Sequence, residues 1–179
     1  MTVIAAYETS KEYWIASDSM GGDSEEGILT TTGSKIIKKG NYYVGFADSY
    51  RVADIIDETP GFPKKINSIK DLRKFRDHLL SAMQSFGYDF SGVEHPILLI
   101  IISPYGIWSI EAEYQIHQNF NYFACGGGSC VALGALFSAR ALGIEDGERA
   151  VRNAVEASVM HSMICGGVCF VEFVKKIKK

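Results

Sequence analysis

A threonine follows directly on the first methionine in the opening stretch MTVIAAYETSKEYWIASDS. Removal of Met1 would leave Thr2 with a β-hydroxyl and a free α-amine on adjacent carbons, a nucleophile that carries its own base. Two other residues bear on that hydroxyl. Asp18 ends the second apolar run, and Lys35 opens the run SKIIKK. A hairpin over the first two runs brings Asp18 back beside Thr2, and a following strand sets Lys35 next to both. A lysine there favours loss of the hydroxyl proton, and a carboxylate keeps that lysine charged and oriented. Singly, Thr2 suits a strand start, Asp18 a turn and Lys35 a surface charge. Their convergence is what points to chemistry.

The elements that must position these residues follow from hydrophobic pattern and turn residues. TVIAAYE and EYWIASDS are β-rich runs parted by the polar TSK, a hairpin. The stretch from Ser19 to Thr32 is polar and contains glycine, and reads as a connection. SKIIKK and YYVGFA form a second hairpin across Gly40-Asn41. DSYRVADIIDE reads as a short helix capped by Asp48 or Ser49. In SIKDLRKFRDHLLSAMQSFG, residues Ile69, Leu72, Phe75, Leu79, Leu80, Met83 and Phe86 make one apolar stripe at helical spacing. Strands resume with PILLIIIS, IWSIEAE and, after the polar QIHQN, NYFACG. Two helices, VALGALFSARALG and DGERAVRNAVEASVMHS, precede a closing strand VCFVEFVKKI. Strands, helices, strands, helices, strand is the order of an α+β fold with two sheets and outer helices, a four-layer α-β-β-α sandwich. No linker or repeat divides the chain, so residues 1–179 are expected to form one domain.

The 179 residues, 47% hydrophobic and 22% charged, suffice for a sizeable core without disulfides. A net charge of -3 gives no basic field, so neither nucleic acid nor an anionic membrane is expected as partner. The longest apolar run, PILLIII, is too short to span a bilayer, and the first residues lack the pattern of a signal peptide. A cytoplasmic location is expected.

Cys125, Cys130, Cys165 and Cys169 come in two close pairs, which raises the possibility of zinc. Cys169 begins an apolar strand, where residues four apart stand about 13 Å from each other. Small buried hydrophobes are the expected identity of the cysteines, and neither metal nor cofactor is expected. His78, His95, His117 and His161 have no spacing of a ligand set or a Ser/His/Asp arrangement. Trp14, Trp108 and the other aromatics read as core or interface.

With these features placed, the sequence resembles the N-terminal-nucleophile hydrolases of the proteasome group, both proteasome β subunits and the peptidase HslV. The resemblance runs from TVIAAYETSKEYWIASDS through SKI, VGFADSYRVAD and GGGSCVALGAL to AVEASVMHSMICGG. It implies a centre of Thr2, Asp18 and Lys35, with an oxyanion held by backbone N–H at the turn after GFA, at Asp48 beside Ser49. The family's serine that supports the threonine amine falls on Gly127, with Ser129 two residues on. The aspartate and serine that precede Gly-Gly in the family fall on Ser162 and Cys165.

What the resemblance implies is a threonine endopeptidase that cleaves polypeptide inside a homo-oligomeric ring. Two alternatives stay open: an amidase on the same scaffold acting on a small molecule, and an inert ring-forming or binding homologue. GGGSC lacks the lysine of a phosphate-binding loop, so any ATPase unfoldase would be a separate chain.

Overall fold

The computed structural model describes residues 2–23, 28–31, 33–47, 49–88, 97–118 and 120–177. The first hairpin forms as its pattern predicts. Strands β1 (Ile4–Glu8) and β2 (Glu12–Ser17) pair antiparallel, with Ile4 opposite Ser17 and Glu8 opposite Tyr13. The stretch after it is not a plain connection: β3 (Met20–Asp23) and β4 (Ile28–Thr31) pair as a separate two-stranded ribbon. Glycines and polar residues hid these strands, because backbone pairing holds the ribbon where no apolar alternation announces it.

The second hairpin joins β5 (Ile36–Lys39) to β6 (Tyr42–Ala47). Its Gly40 has φ +55, a left-handed conformation that suits glycine at a tight turn. Two helices follow, α1 (Tyr50–Glu58) and α2 (Ile69–Ser85). Ser49 takes the N-cap position of α1 without a side-chain cap, whereas Ser68 caps α2 by accepting the Asp71 N–H. The α2 stripe packs through Leu72, Phe75, Leu79 and Met83, while Phe86, just past the helix, is exposed.

Strands β7 (Leu98–Ser103) and β8 (Gly106–Ile110) turn at Pro104-Tyr105. The polar segment beyond them adds a short edge strand, β9 (Ile116–Gln118), where a loop is expected from its composition. Then come β10 (Tyr122–Cys125), α3 (Ser129–Ala141), α4 (Gly147–His161) and β11 (Phe170–Lys175). Asp146 caps α4 by accepting the Arg149 N–H at 3.0 Å.

The strands assemble into two main antiparallel sheets, β10-β1-β2-β11 and β5-β6-β7-β8-β9. Residue alternation assigns the layers. Along β1 and the residue before it, Val3, Ala5 and Tyr7 pack with α3 and α4, while Ile4 and Ala6 face the other sheet together with Ile15, Ile100, Ile102 and Ile107. On β7, Leu99 and Ile101 turn outward to α1 and α2. The unbroken apolar run of β7 is thus the signature of a strand covered on both faces. The result is the expected α-β-β-α sandwich. Gly45 on β6 marks how closely the sheets meet, since a Cβ there would lie 2.6 Å from Ile4 Cγ2 and 2.9 Å from Ile15 Cδ1.

Candidate active site

Sheet register gathers the chemical residues at one edge. Ile4 lies opposite both Ser17 on β2 and Cys125 on β10, and Phe170 lies opposite Ser17 from the other side. The residues just beyond these pairs are Thr2 and Val3, Asp18, the turn from Gly126, and the segment leading into β11. They meet at the same end of the four-stranded sheet.

Asp18 is fully buried, and its two oxygens tie three segments together. Oδ1 accepts the Val3 N–H at 3.0 Å and the Lys35 ammonium at 2.7 Å. Oδ2 accepts the Gly166 N–H at 3.1 Å. Lys35 is equally buried and donates a second hydrogen bond to the Met20 carbonyl at 2.6 Å. Its backbone spans the two sheets: its N–H reaches Ser17 Oγ at 3.3 Å and its carbonyl accepts the Phe46 N–H at 3.1 Å. Burial pushes the Lys35 ammonium below the usual lysine range, against the hydrogen bond and charge of Asp18, which hold it up.

Thr2 is 5% exposed. Its carbonyl accepts the Gly128 N–H at 3.2 Å, while the Val3 N–H on the same peptide goes to Asp18. Both polar groups of the Thr2–Val3 peptide are therefore held, one from the α3 turn and one from the buried carboxylate. Gly126 has φ +87, and a Cβ there would overlap the Thr2 carbonyl, so only glycine lets the turn approach this closely.

The supporting residues divide. Cys165 lies in the Asp18–Lys35 cluster, and its thiol is raised by burial and by the Asp18 charge, with a hydrogen bond from Ser162 and the Lys35 charge opposing. Ser162 ends α4 and accepts the Ile164 N–H at 3.4 Å. Ser129 opens α3, and its own N–H closes the turn on the Gly126 carbonyl at 3.0 Å. At Gly127, a Cβ would overlap Ile164 Cδ1. A side chain at position 127, where the resemblance places a serine, would thus begin in space that Ile164 fills. Asp48 and His95 lie outside the described residues.

Three serines at this edge are not marked by the sequence analysis. Ser17 receives the Lys35 N–H, Ser19 Oγ accepts the Val168 N–H at 2.8 Å, and Ser158 reaches Gly128 from α4. The first two flank Asp18 in SDS, a local signal for a carboxylate built into a hydrogen-bonded corner. Ser158 has no such local signal. Of the cysteines, Cys125 and Cys165 are buried as expected, Cys169 is half-buried, and Cys130 is exposed on the first turn of α3. Among the described residues, no group of three or more His, Cys, Asp or Glu is placed to hold a metal ion, and no helix is long and apolar enough to cross a membrane.

The layering, register and edge site define the proteasome/HslV-like fold. Solved structures agree over the whole length. The chain matches Thiobacillus denitrificans BPH in complex with epoxomicin with a TM-score of 0.86 and 20% identity, covering 98% of this chain and 100% of that one. Thiobacillus denitrificans BPH alone gives a TM-score of 0.85 at 20% identity over 99% and 100% of the two chains. Eukaryotic HslV from Trypanosoma brucei gives 0.71 at 16% identity over 97% and 99%. No family model matches the sequence, and none of the curated proteins compared with it does so significantly.

Proposed function

We propose that this chain is the subunit of a threonine-type endopeptidase, with Thr2 as its N-terminal nucleophile once Met1 is removed. The observation that carries the reading is the Thr2–Val3 peptide, bonded on one side to Asp18 and through it to Lys35. A buried lysine and carboxylate beside the backbone of an N-terminal threonine suit a nucleophile that is activated electrostatically. The sequence resemblance and a fold shared with HslV and with an epoxomicin-bound protein support the same class.

In this mechanism Thr2 Oγ attacks the scissile carbonyl and its proton passes, through water, to the Thr2 amine. Lys35 favours the hydroxyl's deprotonation, and Asp18 orients Lys35. The amine returns the proton to the leaving nitrogen as the C–N bond breaks. Water then adds to the Thr2 ester and releases the second product. Backbone N–H groups at the turn after Ala47 would hold the oxyanion. The substrate is polypeptide, and the assembly is a homo-oligomeric ring that shields other proteins from the site. A separate ATPase would feed it folded substrates.

Hydrolysis of a fluorogenic peptide by protein whose intact mass lacks Met1 tests the reading. Thr2→Ala is expected to abolish turnover with the fold intact, and Thr2→Ser to keep part of it. Wild-type turnover by Thr2→Ala would remove the N-terminal mechanism.

A further inference from the structure

Ser158 lies within α4, 0% exposed, and its hydroxyl stands 2.9 Å from the Ala154 carbonyl and 3.0 Å from the Gly128 carbonyl. The first contact is the ordinary back-bond of a helical serine to the turn before it. The second leaves the helix and crosses to the turn that closes on Thr2, so the one hydroxyl proton is shared between the two carbonyls. Gly128 is held at both of its polar groups: its carbonyl accepts from Ser158 at 3.0 Å and from the Ala132 N–H at the start of α3 at 3.1 Å, and its N–H donates to Thr2 O at 3.2 Å. It is also confined by packing, since a Cβ there would stand 2.6 Å from Cys165 Sγ and 3.0 Å from both Ser158 Cβ and Val3 Cβ.

An N-terminal nucleophile has no preceding peptide to fix it, so its orientation depends on the peptide that follows. At Thr2–Val3, the N–H side is held by Asp18, which is itself held by Lys35 and Gly166. The carbonyl side is held by Gly128. With that plane fixed, the hydroxyl direction depends on two Thr2 torsions, ψ about Cα–C and χ1, and the second is stiff in a β-branched residue.

We propose that Ser158 is a positioning residue for the N-terminal threonine, fixing the carbonyl side of the Thr2–Val3 peptide through Gly128 as Lys35 and Gly166 fix its other side through Asp18. The proposal rests on the reading of Thr2 as nucleophile. A small error in aim lowers the rate of attack without weakening substrate contacts made elsewhere, so the effect belongs in kcat.

Steady-state hydrolysis of a fluorogenic peptide by Met1-processed Ser158→Ala, normalised to folded protein, reads this effect. Expected is a fall in kcat of about tenfold with KM changed less than about twofold. Ser158→Cys keeps the unbranched shape of the side chain with a larger atom and a weak donor, and is expected to lie between Ser158→Ala and wild type. A role confined to helix packing would lower the unfolding temperature and leave kcat per folded protomer at the wild-type value, and that result overturns the proposal. Should Ser158→Ala fail to fold, wild-type kcat in Ser158→Cys overturns it equally. Thr2→Ala measured alongside separates the two layers. An active Thr2→Ala removes the nucleophile reading and the positioning role with it, whereas an inactive Thr2→Ala beside a wild-type Ser158→Ala removes the positioning role alone.

Discussion

Lys35 Nζ lies 2.7 Å from Asp18 Oδ1, with side-chain exposures of 1% and 0%. Taking two charges out of water costs several kcal/mol per ion, and their attraction offsets this only when the remaining donors and acceptors are also bonded. Here they are: Asp18 takes two backbone N–H groups and Lys35 a backbone carbonyl. The pair therefore defines the corner of the fold that holds the Thr2–Val3 peptide.

Lys35→Ala is expected to be inactive and Asp18→Asn to lose on the order of 10²-fold or more in kcat/KM, if the two act on the Thr2 hydroxyl as one unit. The double variant is then expected to be no worse than Lys35→Ala. Losses that multiply in the measured cycle would show two independent residues.

Asp18→Asn also has a stability signature with a definite sign. Burial already depresses Lys35 below its ordinary value of 10.5, and Asp18 opposes that depression. Between the folded and unfolded values the unfolded chain binds the extra proton, so stability rises with pH through that window. Removing the carboxylate lowers the folded value further and widens the window. Chemical denaturation followed from neutral pH up to 10.5 is expected to show the rise setting in at lower pH for Asp18→Asn than for wild type. Superimposable profiles would mean that Asp18 does not hold up the charge on Lys35.

The Gly127–Ile164 pair predicts an asymmetric pair of variants. Gly127→Ser places a Cβ where Ile164 Cδ1 lies, and since Ile164 is 38% exposed and can turn aside, the expected cost is about 0.5–1.5 kcal/mol for the displaced rotamer. Ile164→Ala in the Gly127→Ser background is expected to recover part of that loss, although it removes apolar contact when made alone. Thermal unfolding of the four proteins measures the coupling, and simple addition of the two effects would refute the steric match.

What the sequence made legible and what it concealed divide along physical lines. The hairpins and the α2 stripe rest on local pattern, and they stand where that pattern puts them. The β3–β4 ribbon and the edge strand β9 carry no apolar alternation in their sequence, and it is backbone pairing to a neighbouring strand that defines them. The meeting of Asp18 with Lys35 was readable because a hairpin register and one strand start determine it. Ser158 was not, since its partner Gly128 is thirty residues away and nothing near it in the chain announces the contact. The occupied space at Gly127 was equally hidden, since an isoleucine thirty-seven residues later fills it.

Alkaline pH tests the far end of the first hairpin. Tyr13 is 8% exposed, and burial together with the Glu8 carboxylate raises its phenol from 10.0 to about 12. From pH 10 to 12 the unfolded chain has lost this proton while the folded chain keeps it, so stability falls with rising pH. One proton accounts for a slope of about 1.4 kcal/mol per pH unit at most. Tyr13→Phe is expected to flatten the decline over that interval in denaturant titrations. An unchanged slope would assign the decline to other groups, among them Cys169, whose thiol burial raises to about 11.

Assembly is the remaining test, and it turns on a face of the outer helices. Met160 is 80% exposed and Val168 62%, and both line one cleft of about 280 Å³ with Arg152, Glu156 and Cys169. Met163, 95% exposed, lies three residues after Met160. Large apolar side chains exposed together are uncommon on a monomer and suit contact between copies. A peptidase site also needs enclosure if it is to spare flexible chains around it. Light scattering at micromolar concentration is expected to give an integer multiple of the protomer mass, and Met160→Glu with Val168→Glu to lower it. A strict monomer throughout would remove the compartment and leave the small-molecule amidase as the enzyme reading to pursue. A multimer unchanged by both glutamates would place the contact on another face.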